Sequence, residues 1–389
     1  MVPVKYNLRN LAVRKTTSIA AGLGLALVVF VFASVLMLSN GVQKTLGRSA
    51  DPDMAVVIRK GSDAELASGI EESQIGVMSA APGVAKSTSG QPLVSGELVV
   101  IILLDKLGTE GVSNVQVRGV PDNILELRKD VKIVQGRAAR PGTDEVMVGK
   151  AITSRFKGLG LNETFELRKN RPVTVVGVFE DKGSSFESEV WGDVKTVGAA
   201  FGREGFVSSL KVRLESPAKF DGFKANLEQN PQLQVEVLRE TEYYEKQSEG
   251  TSIFINAMGI VIAVFFSIGA SIGAMITMYA SIANRQREIA TLRALGFSRF
   301  SILISFLLES VILAVLGGAV GALASLGMSF VKFSTVNFAS FSEITFAFEP
   351  TPVILGIAMT VAIFMGLAGG LFPAIRAARM NLVQAIRGG

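Results

Sequence analysis

The chain has 389 residues, 49% hydrophobic and only 19% charged, with a mean hydropathy of +0.41 and a pI near 9.3; that balance excludes an ordinary soluble globular protein and requires lipid to cover part of the surface. The formal charge of +5 does not signal nucleic acid, because the basic residues flank hydrophobic runs instead of forming a patch interleaved with aromatics. Cysteine and histidine are both absent, which excludes a disulfide framework, a thiol nucleophile, a histidine base and zinc or haem sites built on those ligands.

Residues 1–17 carry Lys5, Arg9, Arg14 and Lys15 and no acid. Residues 18–42 carry no charge; at 1.5 Å per residue such a helix exceeds a hydrocarbon core of about 30 Å, which makes it the first span. The apolar part of a secretory signal is shorter, roughly 7–15 residues, so the expectation is a retained helix.

Residues 43–250 mix strand and helix patterns and predict an α+β domain. Strands are expected at Met54–Ile58, Leu98–Leu104, Val115–Val120 and Ser209–Leu214, and helices at Glu72–Ala80 and Phe220–Gln229. A short helix over Ala151–Phe156 is expected before a hairpin of Phe165–Arg168 and Val173–Phe179, turning through Lys169–Pro172. The length suggests an inserted subdomain near residues 130–200. Glu180, Asp181, Glu187 and Glu189 near Trp191 fit no calcium-loop spacing and are read as a solvated loop, not a cation site. No metal site and no catalytic residue is assigned.

The second uncharged run, 251–284, would be about 50 Å long as a helix and must project from the bilayer as a stalk. Residues 285–299 follow as a loop containing a short amphipathic helix, with Ile289, Leu292 and Leu295 at three-residue spacing and Gly296 as its stop. Such a helix either lies in the headgroup layer or docks its apolar face on a cytoplasmic partner, and periodicity does not choose between them. The third span, 300–331, is interrupted only by Glu309; a charge there costs at least about 2.5 kcal/mol near a helix centre, so it must face protein or water. A short outer loop, 332–350, a fourth span, 351–375, ending near Pro373, and a tail, 376–389, complete the chain.

Basic residues concentrate in the N-terminal segment, in the loop (Arg285, Arg287, Arg293, Arg299 against Glu288) and in the tail (Arg376, Arg379, Arg387). The positive-inside rule therefore puts both termini in the cytoplasm and residues 43–250 outside. The fold class expected is an α-helical membrane protein of four spans with a large extracytoplasmic α+β domain between the first and second. Gly269 with Gly273, Gly317 with Gly321, and Gly366 with Gly370 recur at four-residue spacing, which lets helix backbones approach closely in lipid, within one chain or across a dimer.

The stretch from Arg287 through Glu288, Ile289, Ala290, Thr291, Leu292, Arg293, Ala294, Leu295, Gly296, Phe297 and Ser298 to Arg299 resembles the signature loop of the MacB/FtsX-type (type VII) ABC permeases. Phe306-Leu-Leu-Glu-Ser with Gly317 and Gly321, the ending from Phe372 to Arg387, and Leu8-Arg-Asn-Leu11 before the first span are similar as well. Val146-Met-Val-Gly-Lys-Ala151 with Val173–Phe179 resembles the MacB-type periplasmic core. Leu382 stands where the family usually has proline.

The resemblance implies that Arg287–Gly296 is a coupling helix seated on an ATPase subunit, and that Glu309 matches the family's third-span glutamate in a structural or coupling role, a proton relay being the alternative. It implies an inner-membrane permease working as a dimer, with itself or a paralogue, and with cytoplasmic ABC ATPase subunits that bind ATP and Mg. A periplasmic adaptor and an outer-membrane channel are further expected partners. The chain lacks a Gly-x4-Gly-Lys-Ser/Thr loop: its Gly149-Lys150 pair is followed by Ala151 and preceded by Asp144 at the first glycine position. The chain is therefore not expected to be an enzyme or to bind a cofactor itself. Export or extraction of a hydrophobic or lipidated cargo by ATP-driven motion of the outer domains is the reading it implies; an FtsX-like activator of a cell-wall hydrolase and a lipoprotein-releasing permease are the rivals.

Overall fold

The computed structural model describes residues 15–380 except 339. Two compact units divide the chain: a helical one made of residues up to Asn40, Phe254–Val331 and the part from Phe348 on, and a sheet unit made of Gly41–Ile253 and Lys332–Ala347.

Four helices are long and apolar enough to cross a membrane: Ser18–Gly47, Glu240–Ala283, Arg299–Phe330 and Pro352–Ala378. Their apolar surface does not segregate into one narrow stripe, as expected of helices that meet lipid on one side and each other on the other. The second, 44 residues long, measures about 66 Å. It starts eleven residues before the uncharged run (251 − 240), because Glu240 and Glu242 suit the positive end of a helix dipole. The Ser298 hydroxyl caps the third helix by accepting from Ser301 N, and Thr351 caps the fourth by accepting from Ile354 N with Pro352 at the first turn. The fourth helix does not stop at Pro373: the proline sits inside it and the helix runs on to Ala378. Leu25, Val29, Ala33, Ala314, Ala358, Ala362 and Met365 form the buried core of this unit.

The sheet unit is built on strands β1 (Met54–Arg59), β2 (Ile70–Glu71), β3 (Val94–Asp105), β4 (Val112–Val120), β5 (Lys132–Gly136), β6 (Glu145–Gly149), β7 (Thr164–Arg168), β8 (Arg171–Glu180), β9 (Glu189–Asp193), β10 (Phe206–Val207), β11 (Ser209–Arg213) and β12 (Val235–Arg239). Ten of them form one sheet in the order β12-β1-β11-β3-β4-β9-β6-β8-β5, with β7 on β8. Pairing is antiparallel except between β4 and β9 and between β6 and β8. Helices Glu72–Ser79 and Phe220–Glu228 help bury a core around Val57, Met78, Val212, Phe223 and Val237. A second core gathers Val100, Val117, Val148, Phe156, Phe165 and Val175. The segment expected as an inserted subdomain supplies β5 to β9, which continue the same sheet while sharing this second core with β3 and β4.

Two local expectations need correction. Residues 151–156 form successive tight turns, not a helix: Ile152 N reaches Gly149 O and Arg155 N reaches Ile152 O, while Ala151 N is claimed by Glu187 O and Phe156 bridges Lys106. The β7–β8 turn is tighter than expected, since Arg168 already pairs with Arg171 and only Lys169 and Asn170 lie between. Asn170 takes the left-handed conformation at φ 63°, which asparagine tolerates better than most residues.

Residues 332–347 form a hairpin of β13 (Lys332–Val336) and β14 (Glu343–Ala347) that belongs to the sheet unit. Glu343, within the segment expected as a short outer loop, is buried and pairs with Lys106 at 2.8 Å and with Arg155.

Candidate functional site

The second span ends at Ala283, and Arg285, at φ −116° and ψ 18°, turns the backbone into a new helix, Gln286–Ala294. Ile289 and Ala290 are buried; Ile289 enters a cluster with Met278, Ile282, Ile302, Phe306, Ala374 and Ala377. The stripe of Ile289, Leu292 and Leu295 is not one face. Each three-residue step on a 3.6-residue helix drifts about 60°, and Leu295, past the last turn, is 72% exposed while Leu292 is half-buried. Gly296 adopts φ +93°, which glycine accepts without strain, and the chain passes to the Ser298 cap of the next helix. Arg287, Glu288, Thr291, Ala294, Leu295 and Gly296 are exposed, with Arg293 intermediate. The helix is thus anchored on one side and presents a mixed charged and apolar surface on the other.

Glu309 is buried on the third span. The Arg285 guanidinium donates from Nη1 to Glu309 Oε2 at 2.9 Å and from Nε to Glu288 Oε2 at 3.0 Å, and lies 5.2 Å from the centre of the Phe306 ring. The intramembrane acid is thereby neutralised by the residue that starts the short helix, so the helix start is tied to the third span by charge as well as by Ile289. Sequence reading saw both residues and missed their pairing; the available signal was that a lone acid a third of the way into a span needs a counter-charge from the nearest basic flank. Arg376 stacks 5.5 Å from the Tyr279 ring, and Arg379 N donates to Ile375 O at the end of the fourth helix. The N-terminal residues 1–14, Leu382 and Arg387 lie outside the described residues.

The glycine pairs divide into two kinds. A Cβ on Gly317 would lie 2.6 Å from Gly22 O and one on Gly321 2.2 Å from Ala26 O, so the third helix meets the first backbone to backbone. Cβ atoms on Gly366 and Gly370 would fall 2.5 Å from Ala314 Cβ and 2.6 Å from Ser310 Cβ, and Ser310 Oγ donates to Gly366 O at 2.6 Å. Gly269 and Gly273 have open space instead. Four of the six glycines thus pack helices within the chain.

A second constellation, unforeseen from sequence, is buried in the sheet unit. Arg118 pairs with Glu189 at 2.7 Å, Glu97 at 2.8 Å and Glu65 at 3.2 Å; Lys211 lies 3.1 Å from Glu65; Arg128 holds Glu240 in a two-pronged pair. Glu240 opens the long second helix, so the first turns of that helix are locked into the sheet unit by charge. Burial pushes the Glu65 carboxyl up, but the adjacent Arg118 and Lys211 charges outweigh it and hold the group far below the usual range. Burial dominates at Glu189 and pushes it up despite Arg118 and the Trp191 N–H, and burial also raises the Tyr243 and Tyr244 phenols. Glu189 is therefore part of the core, and the expected solvated loop is corrected: Glu180 ends β8, Asp181 is buried, and Glu187 sits in a single helical turn with its carboxylate accepting from Asp181 N and Gly183 N. Alternating strand residues were legible as β, but long-range partners were not, since the sequence does not say which strands adjoin. Among the described residues no group of three or more His, Cys, Asp or Glu side chains could hold a metal ion.

Residues 18–230 match the family described as the MacB-like periplasmic core domain, and residues 260–382 match the FtsX-like permease C-terminal region. The uncharacterized ABC transporter permease YvrN of Bacillus subtilis is 25% identical over 99% of this chain and 98% of its own length. The macrolide export ATP-binding/permease protein MacB of Acinetobacter baylyi is 23% identical over 78% of this chain, which spans 47% of that relative. The periplasmic region of MacB from Actinobacillus actinomycetemcomitans aligns with 49% of this chain and 90% of its own, at 14% identity and a TM-score of 0.36.

Proposed function

This chain belongs to the MacB/FtsX-type permeases of ABC transporters, and from that premise we propose that it couples ATP hydrolysis on separate cytoplasmic subunits to movement of its extracytoplasmic domain. The observation that carries the reading is the helix Gln286–Ala294, anchored by Ile289 and by the Arg285–Glu309 pair, with Arg287, Thr291 and Leu295 turned outward. A docked ATPase would push on a segment that packs against three spans at once, and the 44-residue second helix would carry the displacement outward as a two-state lever. In this reading both termini and the short helix are cytoplasmic, and residues 43–250 are extracytoplasmic.

ATP and Mg belong to the partner. The Gly149-Lys150 pair closes β6, Lys150 reaches Glu180 at 2.9 Å, and a Cβ on Gly149 would lie 2.2 Å from Glu187 O, so this loop has no cradle for phosphates. Two permease copies, identical or paralogous, assemble with two ATPase subunits, and Gly269 and Gly273, where among the described residues nothing lies within 4 Å of an added Cβ, suit such a seam. A hydrophobic or lipidated cargo fits an outer domain of this size, served by an adaptor and an outer-membrane channel in a two-membrane cell. Purification of the tagged chain in mild detergent, with mass spectrometry of the copurifying proteins and an ATPase assay, tests the reading. A copurifying P-loop ATPase with an adaptor supports it; an ATPase with a wall hydrolase moves it to signal transmission, and a chain that never retains an ATPase contradicts it.

A further inference from the structure

The fourth helix, Pro352–Ala378, changes character at its end. Phe364 is 71% exposed and Phe372 60%, as suits a side that meets lipid. Arg376 and Arg379 follow, both exposed. On a 3.6-residue helix Phe372, Arg376 and Arg379 fall within about 60° of one face. Ala374 and Ala377, on the other side, are buried in the cluster that holds Ile302 and Phe306 of the third helix. The fourth helix thus presents an apolar surface and, directly beyond it, two cations. Tyr279 of the second helix stands beside them, with its ring centre 5.5 Å from the Arg376 guanidinium. A cation over an aromatic face is held in place with its N–H fork free to donate elsewhere.

No carboxylate of the chain is available to these arginines. The acids that follow residue 284 are Glu288, Glu309, Glu343 and Glu349. Glu288 and Glu309 both accept from Arg285, Glu343 holds Lys106 and Arg155, and Glu349 precedes the opposite end of the helix. Among the described residues neither Arg376 nor Arg379 has an ion-pair partner. Their depth indicates what anion they meet. From Pro352 to Arg376 the helix rises about 36 Å, slightly more than a hydrocarbon core of about 30 Å. A tilted span that starts at one interface therefore delivers Arg376 to the phosphate layer of the other. Arg287, Arg293 and Arg299, between the end of the second helix and the start of the third, add positive field there and favour a net negative headgroup over a zwitterionic one. We propose that Arg376, Arg379 and Tyr279 form a headgroup site for an anionic phospholipid, with the guanidinium groups on its phosphate and an acyl chain along Phe372 and Phe364. Arginine forks suit phosphate oxygens, and tyrosine suits the interface. The inference rests on the reading of the four helices as spans.

The test uses the full chain in mild detergent with added dioleoyl phosphatidylglycerol or dioleoyl phosphatidylcholine, which share their acyl chains and differ in net charge. Native mass spectrometry counts the lipids retained, and thermal unfolding gives the shift each lipid produces. The expected result is that phosphatidylglycerol is retained more strongly and raises the melting temperature further. Arg376→Gln and Arg379→Gln should each weaken its retention about fivefold and shrink its shift, with the phosphatidylcholine values unchanged. Arg376→Lys, which keeps the charge, should keep most of the preference. Lys195→Gln, at an exposed position of the sheet unit, removes the same charge and should change nothing. The melting temperature in phosphatidylcholine checks the fold of each variant, and two single variants allow for one that fails to fold. Equal retention of both lipids by the unaltered chain overturns the inference, and is the result expected if a second copy covers this face. A preference that survives removal of both arginines, or that falls equally in Lys195→Gln, also overturns it. Copurification of an ATPase is read separately, so the coupling proposal stands or falls on its own.

Discussion

Replacing Glu343 by glutamine should loosen the β13–β14 hairpin from the sheet unit. Its carboxylate accepts from Ser334 Oγ at 2.7 Å and pairs with Lys106 at 2.8 Å and with Arg155. Burial pushes the group up, but Lys106, the Ser113 and Ser334 hydroxyls and the Arg155 charge prevail and bring it to about 2. Against an ordinary glutamate near 4.3, that difference corresponds to an upper value of about 3 kcal/mol at neutral pH. The folded value is the lower one, so the stabilisation is complete above about pH 4.3 and fades as pH falls toward 2. Hydrogen exchange of residues 332–347 in the full chain measures it: at pH 7 the variant should exchange up to about a hundredfold faster through local opening, and near pH 2 the two proteins should converge. Equal protection at pH 7, or a difference that persists undiminished at pH 2, would refute the assignment of the hairpin's hold to this carboxylate.

Arg118→Met should destabilise the sheet unit by at least about 3–5 kcal/mol, because three buried glutamates lose their shared guanidinium; thermal unfolding of the detergent-solubilised chain reads it. Gly321→Ala drives a methyl group against Ala26 O and should cost about 1–3 kcal/mol, whereas Gly273→Ala meets open space and should leave the monomer's melting temperature unchanged. Equal melting temperatures for the two variants would sink the packing account. Glu309→Ala should cost several kcal/mol by leaving Arg285 without its buried partner, about 3–5 by analogy with other buried pairs, and replacing both residues by apolar ones should restore part of the loss. Acidification should weaken the Arg118 network from the Glu65 side, since that carboxyl sits far below its ordinary range, so its stabilisation is complete above the ordinary glutamate pKa and fades progressively as pH falls from there toward the lower folded value; circular dichroism against pH follows it.

The four long apolar helices were legible because lipid imposes length and composition directly, while the glycine spacing did not tell which pairs meet a helix of the same chain: Gly317, Gly321, Gly366 and Gly370 do, and Gly269 and Gly273 meet open space. Legible too were β1, β3, β4 and β11, whose alternation is regular, and the helices Glu72–Ser79 and Phe220–Glu228. Residues 151–156 misled because short helix-like composition says nothing of Glu187 O claiming the first amide. The outer loop misled because its acid, Glu343, pairs with Lys106 and Arg155, 237 and 188 positions away along the chain (343 − 106 and 343 − 155). In the short helix, charge and apolar residues marked the element correctly, while the buried face was misplaced because residues three apart were treated as aligned over two steps. The Arg285–Glu309 pair illustrates the general limit: each residue was visible, but adjacency across a helical turnaround is a property of packing.

Because the chain contains no cysteine, single introduced thiols give a clean probe of the proposed ATPase contact. Leu295→Cys, on the exposed end of the short helix, should crosslink to a copurified ATPase subunit in membranes, with the yield changing between nucleotide-free and ATP-bound states, while Phe206→Cys in the sheet unit should not. An assembled complex that hydrolyses ATP but gives no crosslink from Leu295→Cys, Thr291→Cys or Arg287→Cys would contradict the claim that this helix receives the ATPase's motion.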